Sequence, residues 1–292
     1  MDTRNKNKRR TEDPGVHQPA KTSYIDHEQN GKIPQIPNVP DPYDTGWKRL
    51  VVRLFFQFLE YLAPDILEKI NTTIPPEFLD KELKQLLPTL KLRNRNADML
   101  VKVHGTDGEA KIILLHIEFQ THVDKSIGKR SFVYSLRIYE KFEIFPITIL
   151  VLADATKSFR PERLEFRLNK RAGLTLDFPI IKILDYRERI EEFKQSNNVI
   201  EQVLSVYLEC QQKRESLKKS NRITSMNQKT RKKNQAHEWF TLKTEIMKRL
   251  HSLNIDEVFI AEVLWFLEWL IILPNSLAIE YSNLLYQEYG DL

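Results

Sequence analysis

Two apolar runs of strand length, residues 97–104 and 110–120, flank the sequence Gly105-Thr106-Asp107-Gly108. Asp-Gly between apolar runs predicts a β-hairpin, because glycine readily adopts the positive φ such a turn needs. Helical spacing follows over residues 127–141. The run 147–153, Ile-Thr-Ile-Leu-Val-Leu-Ala, lacks polar alternation and predicts a strand buried on both faces. Residues 178–184 read as a weaker strand and 199–210 as a helix. The order helix, strands, helix, strand, strand, helices fits an α/β fold: a mixed β-sheet core flanked by helices, with a C-terminal helical extension.

The flanks set the domain organisation. Residues 1–40 carry Pro14, Pro19, Pro34, Pro37 and Pro40 among polar residues without periodicity, which predicts a disordered polar tail. From residue 45, Trp47, Leu50, Val51, Leu54, Phe55, Phe58, Leu59 and Leu62 recur at three- and four-residue spacing, the stripe of one amphipathic helix. Asp44 stands where an N-cap or a first-turn carboxylate belongs. Residues 238–253, 256–273 and 276–289 read as three further helices. The expected organisation is a tail (1–40), an α/β domain (41–210), a basic linker (211–235) and a helical C-terminal region (236–292).

Charge is concentrated in that linker. Nine basic residues there, among them Arg231, Lys232 and Lys233, face Glu215 alone, giving +8; since the whole chain carries +5, the remainder is −3. Such a stripe attracts phosphate, or it is a solvated tether. A single cysteine, Cys210, excludes a disulfide framework within one chain and suits a reducing cytoplasm, the expected location. The most apolar stretch, 258–273, is interrupted by Glu262 and Glu268 and falls short of the ~20 residues that span a bilayer. No membrane partner is expected. That stretch is instead a candidate for burial, or for homo-oligomerisation through the C-terminal helices.

Chemistry concentrates on the predicted hairpin. In a strand, alternate residues share a face, so Glu118 and Gln120 project together with His116, while Ile113, Leu115, Ile117 and Phe119 point to the other side. A hairpin brings Asp98 across from Glu118. Two carboxylates converging on one sheet face suit a hard divalent cation, which prefers oxygen ligands and keeps several waters. Such a cation lowers the pKa of a bound water and offsets charge on a phosphate under attack. His116 reads as a hydrogen-bonded strand residue, and Arg130 and Arg137, one heptad apart, either bind phosphate or pair with nearby glutamates. No glycine-rich phosphate loop and no Gly-x-Ser-x-Gly elbow occurs.

Asp98 followed by Glu118-Phe119-Gln120 resembles the active-site signature of the PD-(D/E)XK nuclease superfamily. In particular it resembles the recombination-promoting nuclease / putative transposase family, where glutamine commonly replaces the terminal lysine. The likeness extends to Asp44-Thr45-Gly46-Trp47-Lys48, to residues 130–140 with Tyr134 and Arg137, to the strand at 146–153, to 177–186 and to 265–274. The resemblance implies a restriction-endonuclease-like fold and a metal-dependent DNA endonuclease that hydrolyses phosphodiester bonds in double-stranded DNA. Asp98 and Glu118 would hold Mg²⁺ or Mn²⁺, Gln120 would complete the catalytic triad, and Asp44 would be an accessory carboxylate. Arg130, Arg137, Arg231, Lys232 and Lys233 are the candidate DNA contacts. Because Gln120 lacks a lysine's charge, a catalytically silent DNA- or protein-binding module on the same fold is the alternative.

Overall fold

The stripe beginning at Trp47 folds as two helices, α1 (Pro42–Arg53) and α2 (Phe55–Leu62), not one. Leu54 between them leaves helical geometry, with φ −119° and ψ 33°, and its side chain is buried. The break lets the apolar faces of both helices meet the same core. The structure, a computed structural model, describes residues 42–86, 98–106, 112–167, 169–223 and 227–289; the side chains of 42–45, 80, 84, 221–223 and 289 also lie outside the description. The tail (1–40), the Asp107-Gly108 turn and the side chain of Asp44 therefore fall outside the described residues.

After α3 (Pro64–Leu67) come β1 (Glu77–Phe78), α4 (Asp80–Leu86), β2 (Met99–His104), β3 (Ile112–Gln120), α5 (Ile127–Phe142) and β4 (Ile147–Leu152). A β-ribbon, β5 (Arg163–Arg167) and β6 (Gly173–Asp177), precedes β7 (Ile180–Lys182). A 3-10 turn (Ile183–Arg189) and α6 (Ile190–Phe193) lead to α7 (Val199–Ile223), α8 (Gln228–Ser252), α9 (Glu257–Leu270) and α10 (Asn275–Tyr289). Among the described residues the main sheet has five strands in the order β1-β2-β3-β4-β7. It is mixed: β1, β2 and β3 pair antiparallel, whereas β3, β4 and β7 run parallel. Helix α5 returns the chain from β3 to its parallel neighbour β4, as a parallel pair requires.

The two sheet faces bury different material. Met99, Val101, Leu115, Ile117, Phe119, Ile149 and Val151 enter one large core with α1, α2, α7 and α9. Trp47 sits at its centre, 1 % exposed, stacked on Phe119 at 6.0 Å, tilted against Tyr207 at 5.1 Å and edge-on to Phe266 at 5.0 Å. Burying one such side chain contributes about 3 kcal/mol. The opposite face packs smaller apolar clusters against α4 and α5: Leu100, Leu114 and Ile138 in one, Leu150, Leu152, Ile127 and Phe178 in the other.

Two readings of the C-terminal half change. The expected linker, 211–235, is helical for most of its length, because α7 runs on to Ile223 and α8 starts at Gln228. Nor are the C-terminal helices separate: Ile260, Val263, Phe266 and Leu267 of α9 join the core that holds Trp47. Gly46 in α1 permits this closeness, since a β-carbon there would lie 2.2 Å from the Trp269 ring. The apolar character of α9 thus has an internal cause. No helix among the described residues is long and apolar enough to cross a membrane.

Candidate functional site

The β2–β3 register runs from His104↔Ile112 to Met99↔Ile117, so the next residue, Asp98, faces Glu118. Residues opposed in this way have β-carbons about 5 Å apart. Asp98, Glu118 and Gln120 all lie on the face covered by α5, and all are buried, Glu118 completely. Two carboxylates drawn this close out of water need compensation.

Helix α5 supplies it. Arg130, itself buried, ion-pairs through Nη2 with Glu118 Oε1 and donates from the same nitrogen to Gln120 Oε1 at 3.2 Å. Its Nη1 ion-pairs with Asp124. Asp124 is fixed in turn, its Oδ1 accepting from the Ser126 amide at 2.9 Å and the Ser126 hydroxyl at 2.6 Å. Ser131, next on the helix, donates its hydroxyl to Glu118 Oε2 at 2.7 Å. From α1, Lys48 donates to the backbone carbonyl of Asp98 at 3.1 Å. Among the described residues, Asp98, Glu118 and Asp124 thus share this cluster with Lys48 and Arg130.

Behind Glu118 the polar character continues inward. His116, fully buried, places Nδ1 3.3 Å from the Thr148 hydroxyl and meets the Tyr134 ring edge-on at 5.4 Å. Thr148 is 3.1 Å from the Ser135 hydroxyl, which donates to the Ser131 carbonyl at 2.9 Å. Burial pushes the His116 pKa down to about 4, so the ring is neutral near pH 7. At the same end of the sheet, Lys182 Nζ is bonded to Asp154 Oδ2 at 2.6 Å, both side chains almost wholly buried. Lys182 shares a register row with Gln120 through Leu152, yet it is committed to Asp154 and to the Phe159 carbonyl at 3.4 Å.

Among the described residues no three His, Cys, Asp or Glu side chains form a group that could hold a metal ion. The two opposed carboxylates still fit a hard cation that keeps most of its waters, as magnesium does. Their donor set is oxygen only, and both Glu118 oxygens have partners in Arg130 and Ser131.

The arginines of α5 separate. Arg130 lies at the margin of the buried arc of the helix, and Arg137, about 20° further round after one heptad, falls outside it. Arg137 is exposed and pairs with Glu140 at 2.9 Å, the glutamate pairing that was one of its two expected roles. Of the basic stripe, Lys213 is paired with Glu238 at 2.7 Å, and Arg214 donates to the Leu270 carbonyl at 3.1 Å. Lys218, Lys219, Lys229, Lys232 and Lys233 are exposed and Arg231 is half-buried, none with an ion pair among the described residues. The sequence reading missed Lys48, Asp124 and Ser131 as partners of the motif, and the Lys182–Asp154 pair. The Arg130-Ser131 dipeptide on a helix that follows the motif strand was the available signal.

Comparison with protein-family models, with curated proteins and with solved structures gave no match.

Proposed function

We propose that the chain is a metal-dependent DNA endonuclease of the recombination-promoting type, with a restriction-endonuclease-like core. The observation that carries this reading is the opposition of Asp98 and Glu118, two buried carboxylates on neighbouring strands, with Gln120 ending the same strand. Mg²⁺ or Mn²⁺ held by these carboxylates would make water a nucleophile at neutral pH and offset charge on the phosphodiester. Gln120 would orient that water or a phosphate oxygen through its side-chain amide. Arg130, anchored by Asp124, keeps a guanidinium at the site whichever partner Glu118 takes. It supplies a positive charge that Gln120 cannot, suited to the charge that builds on phosphate oxygens during transfer.

The paired helices α7 and α8 support a duplex partner. The first turns of α8 hold Lys229, Arg231, Lys232 and Lys233 and no acidic residue, against the preference of a helix N-terminus for negative charge. Cations kept where they weaken their own helix suit an external polyanion.

A second reading, a catalytically silent binding module, draws on the occupation of Glu118 by Arg130. Plasmid nicking separates the two. With Mg²⁺ or Mn²⁺ the wild type should convert supercoiled plasmid to open circles, and Asp98→Ala and Glu118→Ala should not, with circular dichroism unchanged. Nicking at the wild-type rate in either variant removes the nuclease assignment. Duplex binding without nicking by the wild type leaves the silent module.

A further inference from the structure

We propose that the β5–β6 ribbon is a duplex-contacting arm that grips nucleic acid beside the carboxylate site through Lys170 and Arg171. Its choice of partner rests on the nuclease reading above. The ribbon is a sheet of its own, outside the five-stranded one. Two strands alone are marginal in water, and this pair is held on one side only: Leu164 and Leu176 pack on the cluster of Ile127, Leu150, Leu152 and Phe178, and Phe166 meets Phe132 of α5 at 5.6 Å.

The other side of the ribbon is neutralised by its own residues. Arg163 pairs with Asp177 at 2.5 Å, and Arg167 ion-pairs with Glu165. Lys170 and Arg171 at the turn differ: both are exposed and neither has an ion pair among the described residues. Their backbone is fixed, because Asn169 Oδ1 accepts from the amides of Arg171 at 2.8 Å and Ala172 at 2.9 Å. Gly173 closes the turn where a β-carbon would lie 2.7 Å from the Phe166 carbonyl oxygen. Just behind the turn Phe166 and Leu174 sit opposite each other, each 43 % exposed. Two exposed cations without an ion pair among the described residues, on backbone that Asn169 holds, have the character of a phosphate contact. A duplex offers phosphates at the rim and apolar base edges and methyl groups within.

Size and position agree. Five residues per strand give the ribbon about 17 Å of reach, and the major groove of B-DNA admits a two-stranded ribbon. Its root is closed by the Phe178 amide donating to the Glu162 carbonyl at 2.7 Å. That root adjoins the start of α5: a β-carbon at Gly128 would lie 3.8 Å from Leu164 and 3.6 Å from Phe178. Arg130, which touches Glu118 and Gln120, is two residues further along the same helix.

Full-length protein titrated with a fluorescent random-sequence duplex over a range of NaCl concentrations tests the arm. Each phosphate contact adds about −0.9 to the slope of log K against log salt. Lys170→Gln with Arg171→Gln should therefore flatten the slope by about two units and weaken binding at low salt, with the melting curve unchanged. Charge reversal at both positions should weaken it further. If the wild type binds duplex with a steep slope and both double variants reproduce it, the arm assignment fails while the nuclease reading stands. If the wild type binds anionic vesicles or acidic polypeptide but no duplex at any salt, both fail together.

Discussion

Ser131 donates its hydroxyl to Glu118 Oε2 at 2.7 Å, while the preceding residue on α5, Arg130, ion-pairs with the other oxygen. One helical dipeptide thus reaches both oxygens of a fully buried carboxylate. Removing either partner should be costly in different degrees. Ser131→Ala leaves one buried acceptor unsatisfied, a loss of about 1–3 kcal/mol. Arg130→Ala leaves a buried charge uncompensated, about 3–5 kcal/mol. Urea unfolding of both, with Arg130→Ala/Glu118→Gln as the compensated double variant, should find the double more stable than Arg130→Ala alone. The reverse order would mean that the pair does not govern this part of the core.

Gln120→Lys is the substitution suggested by the wider nuclease signature, and its surroundings oppose it. Gln120 Oε1 accepts from Arg130 at 3.2 Å, so a lysine there faces a guanidinium inside a buried site. The variant should melt below the wild type, and nicking should not rise. Gln120→Ala should slow nicking while preserving the melting temperature better than lysine does. A Gln120→Lys variant that nicks faster and is equally stable would reject this account.

Arg231→Gln, Lys232→Gln and Lys233→Gln together should weaken duplex binding to all sequences alike and flatten the salt slope by about two to three units. Preferences among sequences should persist, because phosphate contacts position without reading bases. Losing three cations near the N-terminus of α8 should not lower stability, since they oppose the helix dipole. Anisotropy titrations with unchanged affinity and slope would return the stripe to the role of a solvated surface.

His116 makes stability depend on pH. The unfolded ring titrates near pH 6.5 and the folded one at about 4. Between those values the unfolded state binds a proton that the native state refuses, so this group's contribution is full above about pH 6.5 and is lost as pH falls toward 4. From pH 7 to pH 5 the loss is about 2 kcal/mol, at roughly 1.4 kcal/mol per unit of pKa shift. Urea midpoints of His116→Gln should fall less over the same interval than those of the wild type. Equal falls would show that the buried imidazole is not the source.

Much of the fold was legible because it depends on local periodicity. Strict alternation in Ile112–Gln120 assigns Ile117 and Phe119 to one face and Glu118 and Gln120 to the other, and the observed faces divide in that way. The β5–β6 ribbon carried an alternating pattern too, with Leu164 and Phe166 against Leu174 and Leu176, but among its frequent charges no element was assigned there. The break at Leu54 was not legible, since the apolar stripe continues through it and only the shared core bends the helix. The helical basic segment was misread for the opposite reason: its charges suggested a tether, although Leu217 is buried and α7 continues past it.

By itself the sequence determined which side chains share a face and therefore that Asp98, Glu118 and Gln120 stand on one side of a hairpin. Backbone geometry forces this, because side chains alternate at a fixed period of two. Only the tertiary structure decided what those groups meet. Lys48 comes from fifty residues before Asp98 and Arg130 from a helix crossing the sheet, and no local rule relates such positions. The charge balance of a buried site depends on which distant groups packing brings within a few ångströms, where low polarity makes each of them count.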